Sequence, residues 1–387
     1  MTDMVKLGDV LQPVKSARAG DREYPLLSMT MHNGLVDQFD KFNKRVASQD
    51  TSAYKVIERG QLVVGFPIDE GVLDFQTMYD EAIVSPAYGV WELSGKYEVS
   101  REYLGAYLRS DHAIAYYKAK LQGSTARRRS LPNSTFLALP IYLPSLVEQR
   151  RIVDILDRAD AIRTKRRHML ADYAELRANM FYDVFGVPSR WADLWSKTTI
   201  GALTESVQYG TSAKAGADGA WPILRMGNIT DDGCLDLTDL KYIDLPETDI
   251  PKYTVHAGDM LFNRTNSKEK VGKSCVVDTD WKLALAGYLV RVRFRNPLHA
   301  PFVSAFLNST YGVKLRQRMA KAAVNQANIN ATEMKNINVP SPSDTALREF
   351  ARRVEAITAA RAKVERALAL DDELFASLQS RAFRGEL

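Results

Sequence analysis

Residues 143–186 read LPSLVEQRRIVDILDRADAIRTKRRHMLADYAELRANMFYDVFG. After Pro144, the apolar or small residues Ile155, Ala159, Ile162, Met169, Tyr173, Leu176 and Met180 recur in alternating steps of four and three, with Arg166 interrupting. This is the spacing of a coiled-coil seam. It predicts one helix near 40 residues, roughly 55–60 Å long at 1.5 Å per residue. Globular helices average about 11–12 residues, and a small domain cannot cover one of this length. A partner of matching length is required.

The partner lies in the same chain. Phe350, Val354, Ile357, Val364, Leu368, Phe375 and Leu378 repeat the scheme, with Arg361 in the place of Arg166 and Asp371 as a further break. The two arginines align at an offset of 195, whereas Leu176 and Phe181 match Leu378 and Phe383 at an offset of 202. The difference is one heptad, an insertion that keeps the seam facing its partner. The helices are expected to pair with each other in antiparallel sense.

Outward from the helices, the chain repeats itself. Lys6–Val10 sits like Thr199–Leu203, and Tyr24–Met29 like Trp221–Met226. YKVIERGQLVV (Tyr54–Val64) matches YTVHAGDMLF (Tyr253–Phe262) with one residue dropped, and EYLGAYLRS (Glu102–Ser110) matches PFVSAFLNS (Pro301–Ser309). Ile141–Ser145 then matches Ile337–Ser341 just before each long helix. Gln61–Gly65, Phe136–Ile141 and Leu289–Phe294 read as strands, Asp231–Gly233 and Ala257–Asp259 as turns, and Glu102–Lys120 and Ala300–Ala322 as helices. Trp191–Lys197 is the expected connection into the second globule.

The fold class is therefore α+β: two similar α/β globules separated by two long antiparallel helices that form a coiled coil, a pseudo-twofold dumbbell. The boundaries read as a first globule at 1–145, a first helix at 146–186, a second globule at 187–342 and a second helix at 343–387.

Composition agrees with a globular chain. Of 387 residues 45% are hydrophobic and 26% charged, which argues against disorder and fibrous architectures. No run of about 18 apolar residues suggests a membrane span, and no basic segment followed by an apolar one suggests a leader, so a cytoplasmic location is expected. Cys234 and Cys275 lack metal spacing and are expected as reduced thiols; five scattered histidines make no metal helix. The net charge of +5 is compatible with a polyanionic partner without requiring one.

Two similar but unequal globules at a fixed separation suit a ligand with two similar sites along a line, and double-stranded DNA is the obvious one. Separations near 35–45 Å correspond to about 10–13 base pairs, and unequal globules imply unequal half-sites. Arg127, Arg128 and Arg129 are the leading phosphate contacts of the first half, with Arg128→Ala expected to lower the salt slope of binding. The candidates of the second half are Arg225, Asn228, Arg264, Asn266, Lys268, Lys270, Asn325, Gln326 and Asn328. Arginine suits guanine and phosphate, and asparagine and glutamine suit adenine. Asn263–Lys268 is expected to project from a strand end.

Catalytic signatures are missing. Gly272-Lys273-Ser274 copies the tail of a phosphate-binding loop, but the required first glycine is Ser267. No Asn-Pro-Pro-aromatic or Asp-Pro-Pro-Tyr element for amine methylation occurs, and Glu333-Met334-Lys335 has no Pro-Asp to complete a nuclease motif. The chain reads as non-catalytic.

At this point the chain resembles the specificity subunit of type I restriction-modification systems over essentially its whole length. Leu143–Asp157 resembles that family's proline-bounded start of its first conserved helix, and LQSRAFRGEL (Leu378–Leu387) its usual ending. AGDMLF (Ala257–Phe262) and VGKS (Val271–Ser274) are similar to turns of its second recognition domain. PSDTALREFA (Pro342–Ala351) departs from the pattern, lacking the Glu-Gln-Arg-Arg seen at Glu148–Arg151.

The resemblance implies that the globules are target recognition domains, each reading half of a split asymmetric site, with the helices as spacer and docking surface. It also implies two modification (methyltransferase) subunits that carry S-adenosylmethionine and methylate adenine, and motor-nuclease restriction subunits in the full complex. No cofactor is expected on this chain. Two rival readings are a coiled-coil scaffold without DNA specificity and an enzyme with an unrecognised site. The scaffold predicts no salt-dependent DNA affinity, and the enzyme predicts turnover without a partner.

Overall fold

A computed structural model describes residues 3–31, 33–38, 50–122, 131–323 and 326–387. The chain divides into two compact units, one made of residues 1–165 together with 367–387, the other of residues 166–366. Each contains one mixed globule and a portion of both long helices.

In the first unit, Asp3–Lys6 pairs antiparallel with Pro140–Leu143, Asp3 opposite Leu143 and Lys6 opposite Pro140. A four-stranded sheet follows in the order Leu11–Pro13, Gly89–Leu93, Leu62–Val64, Leu73–Phe75. The hairpin Leu27–Thr30/Gly34–Asp37 and the pair Lys55–Glu58/Glu81–Val84 complete its strands. Helices Arg101–Leu108 and Asp111–Lys120 cover the core, and the short helix Asn133–Leu137 leads back to the closing strand.

The second unit repeats this plan. Ser196–Thr199 pairs with Asn338–Ser341, and its sheet runs Thr204–Tyr209, Leu289–Phe294, Met260–Asn263, Ser274–Val276 in the same spatial order. Helices His299–Asn308, Thr310–Met319 and Ala331–Lys335 stand where their counterparts do. A second four-stranded sheet is ordered Lys241–Ile243, Trp221–Leu224, Leu283–Leu285, Thr254–Val255.

Local chemistry corrects several expected elements. Glu102–Lys120 and Ala300–Ala322 are each two helices, because Ser110 and Ser309 break them as N-caps: their side chains accept from Ala113 N and Gly312 N. A serine oxygen satisfies a free amide only where a new helix starts. Ala300–Ala322 also runs past its helices into the strand Lys321–Ala323. Phe136 lies in the short helix Asn133–Leu137, not in a strand, with its ring buried against Trp91 and Tyr117. Trp191–Lys197 is partly regular, holding the turn of helix Trp191–Leu194 and the start of a strand.

The long helices span Leu146–Phe185 and Asp344–Ala382. In the first unit, Arg163 Nε donates to Asp372 Oδ1 at 2.6 Å and its guanidinium lies 4.2 Å from the Phe375 ring centre. In the second, the Phe185 and Phe350 rings are 5.0 Å apart. Early residues of one helix thus meet late residues of the other, which is antiparallel pairing in each unit.

On the second helix Phe350 and Val364 are buried, and Val354, Ile357, Leu368, Phe375 and Leu378 half-buried. On the first, Ile155, Ala159 and Tyr173 are half-buried, but Ile162, Met169 and Leu176 are 48%, 42% and 50% exposed. The covered stripe is instead Ile152, Leu156, Ala159, Arg163, Arg166, Leu170, Tyr173, Arg177 and Phe181, in steps of four and three. Arginine fills seam positions because its aliphatic stem packs while its head finds a partner. An apolar-only pattern therefore shifts by one residue onto the neighbouring face.

Two of the partners are in one knot of the second unit. Arg177 Nη1 and Arg361 Nη1 donate to Cys234 Sγ at 2.7 and 2.9 Å, and Arg361 Nη1 also to Asp232 Oδ2 at 2.6 Å. The knot sits on the turn Asp231–Gly233. Gly233 has φ of +77°, and a Cβ there would meet Asn308 Nδ2 at 2.3 Å, so only glycine fits. Both long helices thus grip the globule of the second unit through a charged group.

The two main cores match ring for ring. Phe383 lies 5.8 and 4.8 Å from Tyr103 and Tyr107 in the first unit; Phe181 lies 6.1 and 6.3 Å from Phe302 and Phe306 in the second. Among the described residues, no helix is long and apolar enough to cross a membrane.

Candidate nucleic-acid interface

The second unit assembles its polar side chains at the end of the central strand Met260–Asn263. The chain continues through Arg264 into Thr265–Asn266, which pairs with Gln326–Asn328, Thr265 opposite Asn328; Gln326–Asn328 pairs in turn with Lys321–Ala323. This small sheet brings Arg264, Asn266, Gln326 and Asn328 together from stretches about 60 residues apart. Asn328 Nδ2 donates to Thr265 Oγ1 at 2.8 Å, and Asn266 Oδ1 accepts from Ser267 N at 2.8 Å. Gln326 and Lys268 are exposed.

Arg264 is the best-placed cation of the group. Its backbone is clamped from both sides, its amide donating to Tyr288 O at 3.0 Å and its carbonyl accepting from Ile329 N at 2.9 Å. Its guanidinium lies 4.9 Å from the Tyr209 ring centre, and Tyr209 is itself fixed by its hydroxyl accepting from Ala331 N at 3.0 Å. The Arg264 Nε has no hydrogen-bond partner among the described residues. That Nε is itself buried, so only the outer guanidinium nitrogens of this half-buried side chain are left for a ligand.

Tyr288 joins this corner to a cleft of about 990 Å³ walled by Thr211, Lys214, Arg225, Met226 and Ala286. Here the structure corrects the sequence reading. Asn228 is buried: its Oδ1 accepts from Arg225 N at 2.8 Å, and its Nδ2 donates to Asp236 O and Asp239 O at 2.9 and 3.0 Å. It holds the loop and has no reach to a base. Arg225 is drawn to Asp239, donating to both its carbonyl and Oδ2 at 2.9 Å.

Asn263, expected to project, is fully buried, with Nδ2 donating to Met226 O at 3.4 Å. The reason is the two-residue period of a strand: Asn263 and Thr265 point inward, Arg264 and Asn266 outward. Lys270 is exposed and lies 3.7 Å from Asp231. Lys273 of the apparent phosphate-loop tail is buried, donating to Ile229 O at 2.7 Å and Asp231 Oδ1 at 2.8 Å. That hydrogen bond holds the Asp231 carboxyl below the usual carboxylate range. The lysine is structural.

Arg127, Arg128, Arg129 and Asn325 lie outside the described residues. Tyr209 and Tyr288, the aromatic parts of the corner, were not singled out from sequence. Their signal is an aromatic beside a glycine at a strand end, in Tyr209-Gly210 and Gly287-Tyr288.

The arrangement can orient a polyanion and offer donors to the edges of planar bases. The family model described as type I restriction modification DNA specificity domain matches residues 2–170. A putative type I restriction enzyme MjaX specificity subunit from Methanocaldococcus jannaschii is 32% identical over 152 residues, 38% of this chain and 36% of that protein. The type I restriction enzyme EcoKI specificity subunit from Escherichia coli K12 is 24% identical over 293 residues, 70% of this chain and 63% of that protein.

Among solved structures, the S subunit of a type I restriction-modification system from M. genitalium superposes with a TM-score of 0.56 at 13% identity, covering 99% of this chain and 96% of that one. A chain from a study of type I R-M system assembly gives 0.59 at 17% identity, covering 100% and 98%. These two likenesses show the fold.

Proposed function

We propose that this chain, whose residues 2–170 match the family model described as type I restriction modification DNA specificity domain, is the sequence-reading subunit of a type I restriction-modification complex. Each unit reads one half of a bipartite, asymmetric DNA site. The observation that carries this reading is the doubled unit: one sheet order and one helix set occur twice, while the strand-end side chains differ, so two half-sites of unlike sequence are served by one architecture.

The remaining roles follow from the same premise. Phosphate contacts orient each globule, and a few side chains read base edges. The long helices set the spacing of the half-sites and dock two methyltransferase subunits, which carry S-adenosylmethionine and methylate adenine. Motor-nuclease subunits join in the full assembly, in the cytoplasm. This chain contributes recognition rather than catalysis.

The deciding experiment is co-expression with the methyltransferase subunit followed by selection from a random DNA library at moderate salt. A split asymmetric motif with a fixed gap is expected. Recovery of no motif from a stable complex overturns the reading in favour of a protein scaffold.

Two further results are expected. Deleting one heptad from each long helix shortens it by about 10 Å, which corresponds to about three base pairs, and the selected gap should shrink accordingly. An unchanged gap refutes the spacing role. Lys268→Ala should reduce the slope of log affinity against log salt by about 0.9, the share of one phosphate contact; an identical slope places Lys268 off the DNA.

A further inference from the structure

Register fixes which residues of the two units are equivalent. In the first unit Val64 pairs with Gly89, and Gly65 N donates to Val72 O at 2.8 Å. In the second Phe262 pairs with Val290, and Asn263 N donates to Lys273 O at 2.8 Å. Gly65 and Asn263 are therefore the same node of the repeat, and the next residue is Phe66 in one unit and Arg264 in the other.

Both side chains follow the end of the equivalent central strand. Phe66 is 58% exposed although Gly65 before it and Ile68 two residues on are buried. Its ring lies 6.4 Å from that of Tyr88, next to the strand Gly89–Leu93, whereas the Arg264 guanidinium lies 4.9 Å from the ring of Tyr209 on Thr204–Tyr209, the counterpart of Leu11–Pro13. Each unit thus backs this position with an aromatic ring from a different strand. Tyr88 is itself half-buried, with its carbonyl held by Lys55 Nζ at 2.6 Å. A single exposed apolar residue is commonplace. One placed near an aromatic ring, where the sister unit places a cation on one, is a change of recognition chemistry at an equivalent position of the repeat.

We infer that Phe66 and Arg264 are paired specificity residues of opposite chemistry: Phe66 makes apolar contact with the methyl group of a thymine in one half-site, and Arg264 donates to the O6/N7 edge of a guanine in the other. Both contacts belong to the major groove, where thymine alone offers a methyl group and guanine two adjacent acceptors. The inference rests on the proposed DNA-reading function and adds to it the base class that each unit recognises at this post.

The test uses the full chain in its methyltransferase complex and the duplex selected by the wild type. Replacing the contacted thymine by deoxyuridine removes only the methyl group and should weaken wild-type binding about 4-fold, with no further loss in Phe66→Ala. Replacing the contacted guanine by 7-deazaguanine should weaken it on the order of 10-fold, with no further loss in Arg264→Ala. Library selection with Phe66→Arg should shift the preference at the thymine position to guanine and leave the other half-site unaltered. A wild-type split motif that both Phe66 variants reproduce unchanged overturns the inference while leaving the DNA-reading function standing. Failure of the wild type to select any motif overturns both. Because Phe66 is exposed, wild-type melting of Phe66→Ala is the control for folding.

Discussion

Replacing Phe383 by alanine should destabilise the first unit by about 3–5 kcal/mol. The residue is buried, and its ring meets Tyr107 at 4.8 Å and Tyr103 at 5.8 Å, both edge to face. Such pairs add about 0.5–1.5 kcal/mol each beyond the apolar area they remove from water. Both tyrosines are committed elsewhere, with hydroxyls donating to Tyr142 O at 2.6 Å and Pro140 O at 3.0 Å on the closing strand. They cannot swing in to fill the space, so a cavity remains. Denaturant titration followed by near-ultraviolet circular dichroism reads the loss directly. Phe181→Ala should do the same to the second unit, where Phe302 and Phe306 take the places of the tyrosines. A loss under about 1 kcal/mol for Phe383→Ala would mean that the last turn of the chain is not part of that core.

Asp232→Ala should cost the second unit about 1–3 kcal/mol, because it removes a carboxylate that two arginines face in a largely covered site. Arg361 loses its 2.6 Å acceptor but keeps Glu365 Oε1 at 2.7 Å, Arg177 keeps Gly233 O at 3.3 Å, and both still share the Cys234 thiol. Burial alone would raise the Asp232 carboxyl, but the hydrogen bond from Thr230 and the charges of Arg361 and Arg177 outweigh it and hold the carboxyl below its ordinary value. A depressed folded value means stability that is fully present above the unfolded carboxylate pKa, about 3.9. It is lost as the pH falls through the lower folded value. The gap in unfolding free energy between wild type and Asp232→Ala should therefore stay constant from neutral pH to about pH 5 and narrow below about pH 4. A gap that widens on acidification would exclude the ion pair as its source.

The repeat and the long helices were legible in the sequence because both rest on periodicity, which survives where individual residues change. Leu289–Phe294 and the turns at Gly233 and Gly258 were legible from alternation and from glycine. The phase of the first helix was not, because Arg163, Arg166 and Arg177 occupy covered positions that an apolar pattern assigns to solvent. Nor were the helix breaks at Ser110 and Ser309, where one cap outweighs an unbroken apolar pattern. At the candidate interface, composition put Arg264, Asn266, Gln326 and Asn328 on a par with Asn228 and Asn263, which the structure buries. Whether an amide faces outward or spends its hydrogen bonds on its own loop is decided by strand phase and by contacts distant in sequence. Phe66 was invisible for the opposite reason: an aromatic beside a strand reads as core until its twin in the other unit is known to be an arginine.

The two units also differ in when they can be finished. Everything in the second lies between residues 166 and 366, whereas the first requires residues 367–387. On the ribosome, Tyr103 and Tyr107 emerge long before Phe383, an interval on the order of tens of seconds at ordinary elongation rates. During that interval the second unit can close around Phe181 while the first waits with its aromatic core unsealed. Residues 367–387 complete the unit that residues 1–165 begin, so a chain truncated before residue 367 holds one finished unit and one open one.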